Sequence, residues 1–297
     1  MTSSTMSPSP SRGRRFATWL SGRPRLQLAL LLALPAGFFV IFYLGSLLLL
    51  FLNAFWETDP FSGDVIPVFS LDAFVTIFTV DVYRIIAART LGMAIVVTLT
   101  CVALGFPVAY YMARIASPRT RRLMVIAVLM PLWASYLVKI YTWRTMLGGN
   151  GFVDWLLAPF GLEGPGLNSL VGSWLVLTYL WLPYMILPIQ AGLERIPGSL
   201  LEASADLGAR SGRTFRRVVI PLVLPSIAAG SIFTFSLTLG DYITATMVSS
   251  TKFIGNVIYD NSALGSLPLA AAYSFVPIVI MIVYLVVARR LGAFESL

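Results

Sequence analysis

Six stretches of this chain run for at least 16 residues without an Asp, Glu, Lys or Arg: Leu26 to Leu52, Thr90 to Ala113, Leu123 to Val138, Leu167 to Leu193, Val218 to Gly240 and Asn261 to Ala288. The hydrocarbon core of a bilayer, about 30 Å thick, is crossed by roughly 20 apolar residues of helix. Inside it only a structure that satisfies its own backbone hydrogen bonds is stable. The windows therefore predict an all-α membrane protein with six transmembrane helices. The third window is short, and Ile140 to Trp143 extend it past Lys139, whose stem is long enough to reach the headgroups. Pro107, Pro131, Pro183, Pro188 and Pro277 lie within windows and predict kinked helices, because neighbouring helices satisfy the carbonyls that proline frees.

Of the 297 residues only 11% are charged, against about 25% in a soluble domain. There is no histidine and one cysteine, Cys101, which excludes His-based acid–base catalysis, a disulfide within the chain and Cys/His metal sites. The formal charge of +8 does not point to nucleic acid here, because membrane proteins use basic residues to set topology. Sorted between alternate sides, 16 Lys and Arg fall on one side, and 5 (Arg84, Arg89, Lys139, Arg144, Lys252) on the other. The richer side is the cytoplasmic one, and both termini belong to it.

Residues 1–25, rich in Ser, Pro and Arg, read as a disordered cytoplasmic tail. Residues 26–89 read as a first transmembrane helix, retained rather than cleaved as a signal, and an outer segment with a short amphipathic helix in LDAFVTIF. Residues 90–290 read as a membrane core. Its second outer loop, 148–166, is rich in glycine and predicts a surface turn with a short helix at Val153 to Ala158.

The cytoplasmic stretch 194–217, ERIPGSLLEASADLGARSGRTFRR, is long for a connection. Ser199 with Glu202 three residues on reads as a capping box. Leu200, Leu201, Ala205 and Leu207 form a partly apolar face, and Gly208 stops or bends the helix. A second, basic helix follows Ser211 into the fifth span. On these features alone the element is either a docking device or an amphipathic helix lying at anionic headgroups.

Glu202-Ala203-Ser204, Gly208 four positions on, and then Val218, Ile220 and Pro221 resemble the EAA loop of binding-protein-dependent ABC importer permeases, E-A-A-x3-G-x9-I-x-L-P, with Ser204, Val218 and Ile220 as mild departures. The resemblance implies a type-I permease core in which Glu202, Ala203, Ser204, Asp206, Leu207 and Gly208 form a coupling helix. That helix would fit a groove on an ATP-hydrolysing subunit. It further implies two ATP-binding subunits, a second homologous permease subunit, an extracytoplasmic solute-binding protein and a bacterial inner-membrane location. No G-x-x-x-x-G-K-[ST] is present, so no cofactor is expected in this chain, and ATP–Mg belongs to the partner subunits. No covalent chemistry is expected, and no catalytic residue or metal ligand.

The run Pro131 to Lys139, then Tyr141-Thr142-Trp143, Gly240-Asp241-Tyr242-Ile243-Thr244 and Ile254 to Ile258 are similar to spermidine/putrescine permeases of the PotB/PotH type. A polyamine is the solute implied; iron, thiosulfate or sulfate, opines and amino acids are alternatives, since permeases for such solutes share much of this text. A carboxylate at membrane depth suggests function by default. Asp241, with Tyr242, Trp133, Tyr136 and Trp181, and with Tyr184 as a further wall, forms the candidate pathway. Aromatic faces would meet a cation there, unless Asp241 only ends its helix and the rings are packing or interface anchors. A secondary transporter, a channel and an intramembrane enzyme remain as other classes; the first lacks mid-span carboxylates and the second has no use for the 194–217 loop.

Overall fold

The structure, a computed structural model, describes residues 24–59 and 62–290. It divides into two compact units, one ending at Asn53 and one beginning at Ala54. In the first, α1 (Pro24–Phe38) passes through a π-helical turn at Phe39–Leu44 into α2 (Gly45–Asn53). Leu31–Asn53 is long and apolar enough to cross a membrane. Residues 1–23 of the expected disordered tail lie outside the described residues, while Pro24 and Arg25 already belong to α1.

The second unit opens with a feature no apolar window announces, an antiparallel pair of two-residue strands, β1 (Glu57–Thr58) and β2 (Val65–Ile66). The amphipathic LDAFVTIF forms α3 (Asp72–Thr79), with Ile77 buried. Next comes α4 (Asp81–Tyr110), continued by a π-helical turn at Tyr111–Ile115. The helix starts nine residues before the apolar window, so the expected division between 89 and 90 falls inside it. Asp81 and Arg84 are charged yet helical because they occupy the first turn, where an acid favours the positive helix end and pairs with Arg84 three residues on.

The third window is not one straight helix. α5 (Pro118–Trp133) and α6 (Tyr136–Leu147) meet at 95°. Ser117 caps α5 by accepting the Thr120 N–H, with Pro118 at the first helical position. Ala134 and Ser135 are both extended and break the run. The described chain thus has five helices long and apolar enough to cross a membrane, or six if the bent pair counts as one.

Beyond α7 (Phe152–Leu157), close to the helix expected at 153–158, lie α8 (Leu170–Glu194), α9 (Gly198–Asp206), α10 (Ser211–Thr214), a π-helical turn at Phe215–Val219, and α11 (Ile220–Gly240). The chain closes with α12 (Ile243–Val248), α13 (Ile254–Ala263) and α14 (Leu267–Arg290). The sixth window thus ran together the end of α13, a turn with Gly265 at φ 82°, and α14.

α8 is the centre, packed between α4 and α11. Val97, Cys101, Leu177, Leu180, Met185, Ile189 and Val223 form its core. Lipid is as apolar as leucine, so close van der Waals packing rather than transfer from water holds such helices together. Gly230 of α11 lies where an added Cβ would be 3.0 Å from the Met185 sulfur and 3.3 Å from the Tyr184 carbonyl oxygen of α8. A second cluster joins Ile77, Ile86, Phe235, Ile254 and Tyr273, with the Tyr273 hydroxyl donating to the Tyr83 carbonyl at 2.7 Å. Among the small residues of the late spans, Ser231, Ala270, Ala271 and Ala272 are buried packing.

Candidate functional site

Two places gather the residues singled out in the sequence, one in the 194–217 loop and one where α11 ends. In the loop, α9 begins after Pro197, with no side chain capping it. The expected capping box at Ser199 is not formed, because Ser199 is already inside the first turn. The far end is built as expected. Gly208 has φ 72°, its N–H donates to the Ala205 carbonyl at 2.8 Å, and the Ala209 N–H reaches the Ser204 carbonyl at 3.1 Å. This pair of bonds is the Schellman stop, and the left-handed residue it needs is cheapest as glycine.

Ser204 also exchanges a 2.8 Å hydrogen bond with Thr214, joining α9 to α10. Glu202, Ala203, Asp206 and Gly208 are exposed, and Leu207 is 89% exposed. Leu207 therefore leaves the apolar face expected for it. Leu201 packs against the core and Ala205 lines a cavity, while Leu207 joins the acids on the outer edge.

The second place is the break between α11 and α12. Asp241 ends α11 as its C-cap, so it is a helix-end residue, yet it is only 7% exposed. Its Oδ1 accepts the Thr244 N–H at 2.8 Å; its Oδ2 accepts the Thr244 hydroxyl at 3.0 Å and the Tyr136 hydroxyl of α6. No Lys or Arg among the described residues pairs with it. Tyr136 stacks on Trp181 of α8 with centroids 6.0 Å apart and planes at 17°, and Tyr184 lies 6.0 Å beyond Trp181. Tyr136, Trp181, Ser236, Asp241 and Tyr242 line a cavity of about 280 Å³.

The structure thus brings Asp241, Tyr136, Trp181 and Tyr242 together but leaves Trp133 out. At the end of α5, across the bend, Trp133 is 82% exposed. Tyr242 also lines a second cavity of about 310 Å³, where its ring stacks on Tyr259 at 4.8 Å. Sequence reasoning missed Thr244, although an Asp followed three residues later by Thr at a helix start is a capping signal. It also missed Asn256, which is buried and donates to the Tyr242 carbonyl at 3.0 Å and to Thr246 at 2.8 Å. No grouping of His, Cys, Asp and Glu able to hold a metal occurs among the described residues.

Residues 101–294, which contain both places, match the family described as "Binding-protein-dependent transport system inner membrane component". The chain belongs to this family. Among its relatives, the inner membrane ABC transporter permease protein YdcU of Escherichia coli (strain K12) is 48% identical over 290 residues, covering 92% of each chain. The spermidine/putrescine transport system permease protein PotB of the same strain is 30% identical over 227 residues, 75% of this chain and 82% of that one. A solved bacterial ABC transporter for import of the polysaccharide alginate shares the fold, with TM-score 0.69 at 18% identity over 92% of this chain and 99% of its own. The protein is a multi-pass inner-membrane permease component of an ABC importer, and a transport subunit rather than an enzyme.

Proposed function

We propose that this permease forms, with a second homologous permease subunit, the membrane pathway of a polyamine importer. Two ATP-binding subunits carrying ATP–Mg engage α9, an extracytoplasmic binding protein delivers the solute, and both termini of this chain are cytoplasmic. The exposed edge of Glu202, Ala203, Asp206, Leu207 and Gly208 supports the docking of α9, and Ser204 supports it from within through Thr214. ATP-driven closure of the partner subunits moves α9 and switches the pathway between its two accesses.

The observation that carries the choice of solute is Asp241, a buried carboxylate without a basic partner among the described residues, beside the Tyr136 and Trp181 rings and a cavity. The 30% identity to a permease named for spermidine and putrescine supports the same choice. A solute ammonium about 4 Å from the carboxylate gains roughly 1–4 kcal/mol over effective dielectrics from water to a protein surface. That is enough to favour a cation and small enough to release it, and the flanking rings offer cation–π contacts to the rest of the chain.

The test is putrescine and spermidine uptake into proteoliposomes holding the whole complex, with Asp241→Asn beside the natural protein. The Asn variant keeps size and the oxygen that accepts the Thr244 N–H, turns the other oxygen into an NH2 that must donate to the Tyr136 and Thr244 hydroxyls, and removes charge, so uptake should fall while ATPase association stays normal. Unchanged uptake would return Asp241 to a helix-end role. Absence of polyamine uptake by the natural complex would remove the solute and leave the importer.

A further inference from the structure

The attachment of α9 to the rest of the molecule is sparse. Beneath its middle lies a cavity of about 210 Å³, lined by Leu201 and Ala205 of α9, by Tyr110 and Arg114, and by Phe215 and Val219. Its C-terminal end is tied by the Ser204–Thr214 hydrogen bond. Its N-terminal end is tied through the peptide just before it. The Arg114 guanidinium donates to the Leu193 carbonyl at 2.5 Å and to the Ile196 carbonyl at 2.8 Å. These oxygens belong to the last turn of α8 and the link to α9; Leu193 also accepts the Ile196 N–H at 3.3 Å, and a helix end of this kind favours positive charge.

A second arginine repeats the arrangement one helix over. Arg121 of α5 donates through Nε to the Met112 carbonyl at 2.8 Å and through Nη2 to the Ala113 carbonyl at 3.0 Å, both in the π-helical turn after α4. Its Nη1 lies 3.5 Å from Glu194, the last residue of α8, which also accepts from Gln190 at 3.2 Å. The positive-inside rule explains why arginines are on this side. It does not explain why two of them are half-buried and aimed at the carbonyls of neighbouring helix ends.

We infer that Arg114, backed by Arg121, is a positioning clamp that fixes the base of α9 to α4 and α8, so that displacement of α9 is passed into the membrane helices instead of being lost by pivoting over the cavity. The inference rests on the proposed coupling role of α9. A neutral or shorter side chain at 114 leaves α9 folded and exposed for its partner but loosely hinged at Pro197. Hydrolysis then proceeds without the matching change in the pathway.

The experiment uses the full complex in lipid nanodiscs and needs no knowledge of the solute. Ser236, which lines the cavity beside Asp241, is replaced by Cys in a Cys101→Ala background, Cys101 being fully buried. Maleimide labelling of that cysteine with and without ATP reads the switch in access, and phosphate release reads hydrolysis. Arg114→Gln should keep hydrolysis within about twofold while shrinking the ATP-dependent change in labelling about tenfold, the equivalent of one charge-assisted hydrogen bond. Arg114→Lys, which keeps charge and one donor group, should recover part of it.

Loss of hydrolysis and labelling change in equal proportion, with a lower melting temperature and no recovery in Arg114→Lys, would mean a merely structural arginine and overturn the clamp. So would two unchanged readouts in Arg114→Gln. Gly208→Val runs in parallel. If it uncouples the readouts and Arg114→Gln does not, the clamp alone is wrong; if it moves neither readout, the coupling role of α9 is wrong as well.

Discussion

Replacing Gly192 by alanine should force α8 and α11 apart where Gly192 faces Ser226. A Cβ built on Gly192 falls 2.6 Å from the Ser226 Cβ, and nearer still to its hydroxyl oxygen. Carbon atoms in ordinary contact sit about 3.5–4.0 Å apart, so the helices must separate by about 1 Å locally or Ser226 must move. Ser226 Cβ is fixed to the α11 backbone and cannot swing clear as the tip of a long side chain would. Overpacking of this kind costs about 1–3 kcal/mol, or roughly 2–4 °C in melting temperature for each kcal/mol in a chain of this size.

The same geometry specifies its own rescue. Ser226→Gly removes both obstructing atoms, and the next atom is the Val223 Cγ1 at 3.8 Å, an ordinary contact. The double variant Gly192→Ala with Ser226→Gly should therefore melt near the natural protein, giving a coupling energy of about 1–3 kcal/mol in a double-mutant cycle. The assay is thermal unfolding of the four proteins in one detergent, followed by tryptophan emission. If Gly192→Ala melts as the natural protein does, or if Ser226→Gly adds to the loss instead of offsetting it, the close crossing is not what Gly192 serves.

Membrane-impermeant labelling should modify a cysteine at Ser62 from outside and spare one at Ser211, as the 16 to 5 split of basic residues requires; the reverse pattern would refute the cytoplasmic placement of both termini. At Gly208 an added Cβ meets nothing within 4 Å and φ is 72°, so substitutions there cost backbone strain alone, about 1–2 kcal/mol for most residues. Coupled transport should then fall in the order Gly, Asn, Ala, Val, and equal activity for Asn and Val would show that the left-handed turn is dispensable. Asp154 accepts the N–H groups of Asn150 at 3.0 Å and Gly164 at 2.9 Å, closing the loop 148–166 on itself. Asp154→Ala should make residues 148–166 several-fold more sensitive to protease added outside, with the membrane helices intact, and an unchanged cleavage rate would show that other contacts hold the loop.

The features legible in the sequence are those set within a few residues of themselves. A charge-free window defines a span because bilayer thickness and helix rise are constants. Gly208 could be read as the end of α9 because the Schellman stop involves only Ser204 to Ala209. Asp241 stood out because a carboxylate at the end of an apolar run is expensive wherever the run is placed. The missing cap at Ser199 belongs to the same scale and marks its limit, since the helix, with Pro197 as its N-cap, starts two residues earlier than the capping pattern implied.

The sequence by itself determined the chemistry of each segment: which stretches are apolar enough for lipid, where the basic residues collect, and where a left-handed turn is affordable. Only the tertiary structure decided which segments meet. Pro131 predicts a kink in this window but neither a 95° break at Ala134 and Ser135 nor its direction, and that break is what swings Tyr136 onto Asp241, 105 residues away, while leaving Trp133 exposed. Arg114 finds its acceptors 79 and 82 residues on, and they are backbone oxygens that every residue type carries. Hydropathy is a property of a window and a cap is a property of a turn, but a contact between helices depends on their crossing, and no short pattern encodes that.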